Sequence, residues 1–448
     1  MEDSGRDDHH VACTENGFGS SMSNIDTGSV ESDLRSSMDD IVSENSMLST
    51  RCCIFQTPKL LFRNNERSFL PIAFSIGPLH HGKPDLAETE QIKLKYTQDL
   101  ITRVSEWNDT ILKDLVEEIT SLEEKARQCY NVPVKFSRDE FVKILLVDGC
   151  FLIELFRKYG GQDSPASPDD PVMSRGCMLE VVDRDLFLLE NQIPWMVLDR
   201  LYRMTSFPNR KTMPLTQIAV MYFNSNGYIT RQSSKMSSCW RPSLEKSKHI
   251  LELLRNKLIW HTTLEGCLNL NWELIPCASS LQEAGVKFKK GRSINGILDI
   301  KFSNGVLEIP SLIIQETTEA IFRNLISFEQ CYHRCYPGIT SYVMLLDCLI
   351  NTSKDINILC ESGIIQNWLN PEEAAQIFNK LYQDTSVSQF YYLELCGEVN
   401  KYCRRRWPRW RAMYVRNHFS SPWAIASQIF AAMMLILAFL QTVFSIKK

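Results

Sequence analysis

The sequence lacks the motifs that mark several large enzyme classes. It contains no G-x-x-x-x-G-K-[ST] phosphate-binding loop, no G-x-S-x-G nucleophile turn, no H-E-x-x-H zinc motif and no G-x-G-x-x-G fingerprint after a strand. It also has no internal repeat of fixed period. Nucleotide-dependent chemistry, acyl transfer and zinc proteolysis by these routes are therefore unsupported by the sequence.

The N-terminal end lacks an apolar run after a basic start, so we expect no signal peptide. Residues 1–50 have few large apolar side chains and carry eleven acidic residues against two basic ones. Such a segment cannot bury enough apolar surface to offset the entropy of ordering, which predicts a disordered acidic tail. The net charge of −4 combines this acidic end with a basic C-terminal region, so it gives no argument for nucleic-acid binding.

The 15 cysteines lack the spacing of a disulfide framework. Their number is odd, and several lie within apolar runs, as Cys150 does between Gly149 and Phe151. This usage is typical of reduced thiols that pack as small apolar side chains. Cys331, His333 and Cys335 resemble a metal cluster, but His333 would lie on a different face of a helix from the two cysteines, so we predict no metal site.

No residue from Pro422 to Ile446 is charged. As a helix, this stretch is roughly 36 Å long, enough to cross a hydrocarbon core of about 30 Å. The sequence therefore predicts a transmembrane anchor, and a buried core helix is the less favoured alternative. The residues that define the predicted anchor are Pro422, Trp423, Phe430, Leu435, Leu440 and Phe444.

A basic and aromatic segment, residues 401–416, precedes the anchor; we call it the collar. Cations and tryptophans are enriched at the depth of lipid headgroups, so we expect the collar to lie at a membrane interface, and an RNA-binding patch is the weaker alternative. Seven basic residues precede the anchor and two follow it, which predicts a cytosolic body. Sequons at Asn108 and Asn351 would oppose this orientation if they were glycosylated. The collar residues that carry the argument are Arg404, Arg405, Arg406, Trp407, Arg409, Trp410 and Arg411.

The body between these ends is predicted to be mainly α-helical. We divide the chain into the tail (1–50), a helical domain (51–418) with a flexible insertion at about 205–241, and the anchor with its basic and aromatic flank (419–448). Asn304-Gly305 between two short apolar runs predicts one β-hairpin over 297–309. Apolar spacing predicts helices at about 88–129, allowing for a break, 141–159, 178–189, after Pro194, 244–258, 318–332, 339–350, 371–382 and 390–418.

Residues 69–82, which we call the strap, contain two prolines and two glycines and are predicted to be extended and rich in turns. They include His80 and His81, which could act as a base or bind a metal. Adjacent residues of an extended segment point to opposite sides, so a structural or surface role is the favoured interpretation.

Four acids lie in apolar surroundings, namely Asp148, Glu154, Asp185 and Glu190. Two buried carboxylates could form a general acid and base. The alternative, which we favour, is that Asp148 and the Glu190-Asn191-Gln192 run satisfy backbone amides where helices end.

Several of these motifs, taken in order, resemble the plant-specific family called domain of unknown function 247. The resemblance covers about residues 54–444. It rests on 75–82 (SIGPLHHG), 147–151 (VDGCF) with Glu154-Leu155, 185–194 (DLFLLENQIP), 284–288 (AGVKF), Ile309-Pro310, 324–330 (NLISFEQ) and 422–424 (PWA).

The resemblance implies a mostly helical protein with a C-terminal transmembrane helix, no established enzymatic activity, and members implicated in pollen–stigma recognition in grass self-incompatibility. It assigns no catalytic residue and no cofactor. We therefore expect a single-pass, tail-anchored plant membrane protein that meets the lipid bilayer and one or more protein partners, but no nucleic acid. The alternative is a membrane-bound hydrolase that uses His80 or His81 with Asp148 or Glu190.

Overall fold

The computed structural model describes residues 31–32, 34–35, 51–160, 167–208, 212–226, 244–259, 273–291, 296–387, 389–404, 430–431, 433–440 and 442. The chain forms two units, Met1–Ser49 and Thr50–Lys448. Within the first unit, residues 31–32 and 34–35 are helical and exposed, and Arg35 forms an ion pair of 3.0 Å with Glu31. The rest of the predicted acidic tail lies outside the described residues.

The second unit is mainly helical, as the sequence predicted. Its described helices are α1 (Lys59–Phe62), α2 (Ala87–Ser105), α3 (Ile111–Arg127), α4 (Arg138–Gly160), α5 (Gly176–Leu186), α6 (Trp195–Met204), α7 (Leu215–Asn226), α8 (Ile250–Leu258), α9 (Ala278–Glu283), α10 (Thr318–Cys331), α11 (Gly338–Leu349), α12 (Ser353–Glu361), α13 (Pro371–Leu381) and α14 (Leu393–Cys403). The strands are β1 (Lys287–Gly291), β2 (Lys301–Ser303), β3 (Val306–Pro310), β4 (Leu312–Ile314) and β5 (Ile365–Asn367).

Helix α4 is the centre of the N-terminal half of this unit. It packs against α2, α3, α6 and α7, and 17 of its 23 residues are buried. This burial follows from apolar residues that lie almost all round the helix. The predicted capping box is present, since the Glu140 carboxylate accepts from the Ser137 amide at 3.1 Å and the Glu140 amide donates to Ser137 Oγ at 3.3 Å.

Helices α10 to α14 and two small sheets form the C-terminal half. Asn370 accepts a hydrogen bond from the Glu372 amide at the start of α13, as its sequence predicted. The predicted hairpin is β2–β3, with Phe302 opposite Leu307. Its turn has positive φ at Asn304 and Gly305, which explains the Asn-Gly signal.

The strand prediction was incomplete. Strand β1 pairs in parallel with β3, so the hairpin is part of a three-stranded sheet in the order β1-β3-β2. Strands β4 and β5 form a separate parallel pair. The partners in each parallel pair are distant in sequence, so no local turn signal marks them.

The break allowed for in the predicted helix at 88–129 is present, since α2 and α3 are separated at residues 106–110. The flexible insertion predicted at 205–241 is wrong over residues 215–226, which form α7. Leu215, Ile218, Ala219, Tyr222 and Phe223 are buried there, at the spacing of one helical face. The interval 227–243 lies outside the described residues.

Most of the predicted collar and anchor also lies outside the described residues, including 405–411, Pro422, Trp423 and Phe444. Arg404 is described and forms an exposed ion pair of 2.6 Å with Glu273. Residues 430–431, 433–440 and 442 are helical and exposed. Within the part of the chain that the structure describes, we find no helix with the length and apolar character of a membrane span.

Candidate functional site

The strap passes through the body without forming a helix or a strand, and its backbone amides are bound by side chains. Asp185, near the end of α5, accepts hydrogen bonds from the amides of Ile72, Ala73 and Phe74, each 2.9 Å long. The Asp185 side chain is completely buried. Burial raises the pKa of Asp185, although the three amides and Arg184 act in the opposite direction. One carboxylate therefore fixes three consecutive residues of the strap.

Asp148, on the central helix α4, holds the next part of the strap. Its Oδ2 accepts from the Gly77 amide at 2.7 Å, and its Oδ1 accepts from Lys93 Nζ at 2.5 Å. Lys93 Nζ also donates to the Ser75 carbonyl oxygen at 2.7 Å and pairs with Glu90. Burial lowers the pKa of Lys93, but the two carboxylates more than offset it and raise the pKa above its ordinary value. Asp148 is thus engaged with one ammonium group and one backbone amide.

Asn191 and Gln192 complete this buried network. Asn191 Oδ1 accepts from the Ile76 amide at 2.7 Å, and its Nδ2 donates to the carbonyl oxygens of Phe74 and Asp185. Gln192 donates to the carbonyl oxygens of Leu186 and Leu188 and accepts from the Leu251 amide. The structure therefore places the polar residues of the 185–194 motif where the backbone needs partners.

Two further buried groups of the sequence motifs also have partners, Glu154 in a side chain and Asn324 in the backbone. Glu154 forms a bidentate pair with Arg103, with N–O distances of 2.7 and 2.5 Å. Asn324 Oδ1 accepts from the Leu189 amide at 2.8 Å, and its Nδ2 donates to the Ser68 carbonyl oxygen at 2.7 Å. Asn324 thereby connects α10 to the segment before the strap.

The two histidines of the strap have different surroundings. His80 is 3% exposed; its Nδ1 lies 2.7 Å from Lys83 Nζ and its Nε2 lies 3.5 Å from Glu190 Oε2. His81 stands edge-on to Phe136 instead, with ring centroids 5.6 Å apart. The structure therefore brings His80 to Glu190, and it describes no hydrogen bond or ion pair between either histidine and Asp148.

The partners of His80 determine which nitrogen carries its proton. A lysine ammonium only donates, so Nδ1 accepts from Lys83 and the proton of the neutral ring lies on Nε2, towards Glu190. Burial, together with the Lys83 charge, lowers the pKa of His80 to about 4. Glu190 in turn accepts from the Thr57 amide at 2.9 Å. Both ring nitrogens face other protein groups, which leaves His80 poorly placed to take a proton from a substrate.

Sequence reasoning missed Lys93, Arg103 and Arg184 as partners of these acids. Arg184 bonds both Asp185 and the Leu70 carbonyl oxygen at 3.1 Å. The position of Lys93 could have indicated this pairing, because it lies on the same helical face as Tyr96, Thr97 and Leu100. A cation on a buried face requires an anionic partner, and Asp148 on α4 was a candidate.

The cysteines around His333 do not form a metal centre in the described residues. Cys331 is the last residue of α10, whereas Cys335 lies beyond the end of that helix. More broadly, no three His, Cys, Asp or Glu residues in the described ranges are placed to hold a metal ion.

Replacing Asp185 with Asn should destabilise the protein strongly. Asn offers one acceptor oxygen where three backbone amides require partners, and its NH₂ group would face one of those donors. We expect a loss of about 3–5 kcal/mol in the free energy of unfolding, measured by urea denaturation of the full chain in detergent. Asp109→Asn, at an exposed turn, should change stability by no more than about 0.5 kcal/mol. Equal effects of the two changes would contradict the role of Asp185.

The strap glycines provide a matched pair of variants. Gly77 and Gly82 have φ values of +78° and +81°, so alanine should cost about 1–2 kcal/mol at either position. A Cβ atom at Gly77 would also overlap the Gln192 carbonyl oxygen, whereas one at Gly82 would meet nothing within 4 Å. We therefore expect Gly77→Ala to lower the thermal midpoint clearly more than Gly82→Ala. Similar midpoints would show that the strap is not held against Gln192.

Protonation of His80 should make stability depend on pH. Its pKa is lower in the folded state than in the unfolded state, so the unfolded chain binds more protons and stability falls as pH drops from about 6.5 towards 4. The slope should reach about 1.4 kcal/mol per pH unit for this residue. In His80→Asn the difference in unfolding free energy between pH 6.5 and pH 5 should shrink accordingly. His333→Asn, at an exposed position, should retain the wild-type slope.

Comparison with known proteins places this chain in a family. The chain is 26% identical over 422 residues to the UPF0481 protein At3g47200 of Arabidopsis thaliana, covering 88% of this chain and 86% of the relative. It is 23% identical over 515 aligned positions to the putative UPF0481 protein At3g02645 of the same plant, covering 91% and 93%. No solved structure matches the chain. The model of domain of unknown function 247, described as a plant protein of unknown function, matches residues 54–437, so the chain belongs to that family.

Proposed function

We propose that this protein is a single-pass, tail-anchored plant membrane protein whose helical body is an interaction or signalling module on the cytosolic side. The observation that carries the anchor is the uncharged stretch from Pro422 to Ile446 together with the exposure of its described part. No specific activity is attached to the family. We therefore propose a location and a mode of action for the protein and assign it no catalytic activity.

The described part of the predicted anchor supports lipid as its surroundings. Residues 433–440 cover about two helical turns, so their side chains point to every side of the helix. A helix that is apolar all round requires a core or a membrane to cover it. The exposed large side chains are Phe430, Met433, Met434, Leu435, Ile436, Leu437, Phe439 and Leu440, each at least 44% exposed.

The buried carboxylates favour interaction over catalysis as the role of the body. Asp148 and Asp185 have backbone amides or a cation as partners at both oxygens, and Glu154 is held by Arg103. A general acid or base must reach a substrate proton within about 3 Å, directly or through one water. The hydrolase alternative would have to break these bonds before any of the three carboxylates could act.

The orientation proposal depends on the charges that flank the anchor. Lys401 and Arg404 begin the basic collar that precedes the anchor, and Lys447 and Lys448 follow the anchor. Short flanks rich in Lys and Arg remain on the cytosolic side of a membrane. The collar would then lie against the anionic cytosolic leaflet.

Two charges placed within the anchor should release the protein from membranes. We expect Leu435→Arg combined with Leu437→Arg to move the full chain from the carbonate-washed membrane pellet to the supernatant, because each arginine costs about 3 kcal/mol near the centre of a span. Deletion of residues 420–448 should have the same effect. Leu112→Arg combined with Val116→Arg, at two exposed positions on α3, is the matched control and should remain in the pellet. A truncated chain that stays in the pellet would refute the anchor.

Sealed vesicles test the orientation separately. A cytosolic body should be digested by added protease without detergent, and neither sequon should carry a glycan. Asn351 is the informative sequon, since it is exposed, whereas the Asn108 amide nitrogen donates to Asp114. An endoglycosidase-sensitive mass at Asn351 that disappears in Asn351→Gln would place the body on the opposite side.

A further inference from the structure

Cys53 and Cys129 lie opposite each other at the start of the second unit. A parallel β-bridge joins Ile54 to Tyr130, with hydrogen bonds from the Ile54 amide to the Cys129 carbonyl oxygen (2.9 Å) and from the Asn131 amide to the Ile54 carbonyl oxygen (3.0 Å). In a parallel register, the residues before each bridge partner also face each other, here Cys53 and Cys129. Paired strands are about 4.8 Å apart, within the Cα separation of about 4.4–6.8 Å that disulfides require.

The two thiols differ in their surroundings. The side chain of Cys53 is 1% exposed and that of Cys129 is 6% exposed. A hydrogen bond with the Cys53 thiol lowers the pKa of Cys129 despite burial, and the charges of Lys248 and Arg51 act in the same direction. The same hydrogen bond and burial raise the pKa of Cys53. The pKa of Cys129 is thus shifted down and that of Cys53 up, so Cys129 is the thiol that loses its proton more readily, the asymmetry of a redox-active pair.

We propose that Cys53 and Cys129 form an oxidisable dithiol whose disulfide fastens residues 52–57 to the end of helix α3. A hydroperoxide is the oxidant. The Cys129 thiolate attacks one peroxide oxygen, the O–O bond breaks, and a sulfenic acid forms as the leaving oxygen takes up a proton to become water or an alcohol. The Cys53 sulfur then attacks the sulfenic sulfur, and the second oxygen leaves as water with the Cys53 proton. With hydrogen peroxide, two thiols and one peroxide give one disulfide and two waters.

The disulfide would act on the network around the strap. Residues 52–57 contact that network at their far end, where the Thr57 amide donates to Glu190 beside His80. The Gln56 amide donates to Asn131 Oδ1 at 2.7 Å, on the segment that follows Cys129. A covalent link at Cys53 would therefore hold this segment, and through it Glu190, against the body. In a reducing compartment the same contacts depend on hydrogen bonds and on the packing of the buried Ile54 and Phe55.

The test uses the full chain in detergent, reduced and then treated with increasing hydrogen peroxide. We expect a mass loss of two hydrogens, a peptide that joins Cys53 to Cys129 after digestion, and recovery of both thiols with dithiothreitol. The oxidised chain should also unfold at a temperature several degrees higher than the reduced chain, because the crosslink restricts the unfolded state.

Variants distinguish this pair from the other cysteines. Cys129→Ser should abolish the mass loss, whereas Cys150→Ser, at a fully buried cysteine of α4 whose pKa burial raises to about 12, should leave it intact.

Cys52 and Cys331 lie nearby, so a peptide joining Cys129 to Cys52, or Cys52 to Cys331, would overturn the assignment. It would also be overturned if Cys53 and Cys129 of the wild-type chain remained fully alkylatable at peroxide concentrations that oxidise the exposed Cys177. The wild-type peptide map decides the question even where a serine variant fails to fold.

Discussion

The fold depends on side chains that accept hydrogen bonds from the backbone of the strap. Residues 69–82 enter the core without regular secondary structure, and a buried amide without a partner costs about 1–3 kcal/mol. Asp185, Asn191 and Asp148 accept from the amides of Ile72, Ala73, Phe74, Ile76 and Gly77, and the bonds to Phe74, Ile76 and Gly77 are fully buried. Because these acceptors come from α4 and from residues 185–191, the strap also ties together parts of the chain that are distant in sequence.

The same bonds explain why the motifs resemble an active site in the sequence but not in the structure. Acids in apolar runs are expensive to bury, so they are retained only where a partner or a function requires them. Asp148 and Asp185 have found partners in the backbone and in Lys93 and Arg184. His80 is neutral beside Lys83 and Glu190, and its burial stabilises the local packing at the cost of sensitivity to acid.

Local signals were sufficient for most of the longer helices and for the hairpin, but not for helix α7 or for pairings between distant residues. The Ser137–Glu140 and Asn370–Glu372 caps and the Asn304-Gly305 turn depend on residues a few positions apart, so the sequence contains the whole interaction. The β4–β5 pair joins Leu312 to Ile365 across more than 50 residues, and nothing near either strand indicates its partner. The roles of Asp148 and Glu190 as amide acceptors could be anticipated, but not which amides they bind. Helix α7 was missed because the polar residues around it outweighed its five buried apolar positions.

In the described residues, polar and apolar side chains are placed differently in the body and in the C-terminal helical residues. In the body, buried polar motif residues such as Asp148, Asp185 and Asn191 accept hydrogen bonds from the backbone. At Phe430 and residues 433–440 the reverse holds, since the large apolar side chains described there are 44–72% exposed. A water-soluble protein would pay a large hydration cost for that helix, about 25 cal/mol for each Å² of apolar surface left uncovered, whereas a bilayer removes it. The polar motif residues of the body thus satisfy its own backbone, whereas the large apolar side chains of Phe430 and of residues 433–440 are exposed.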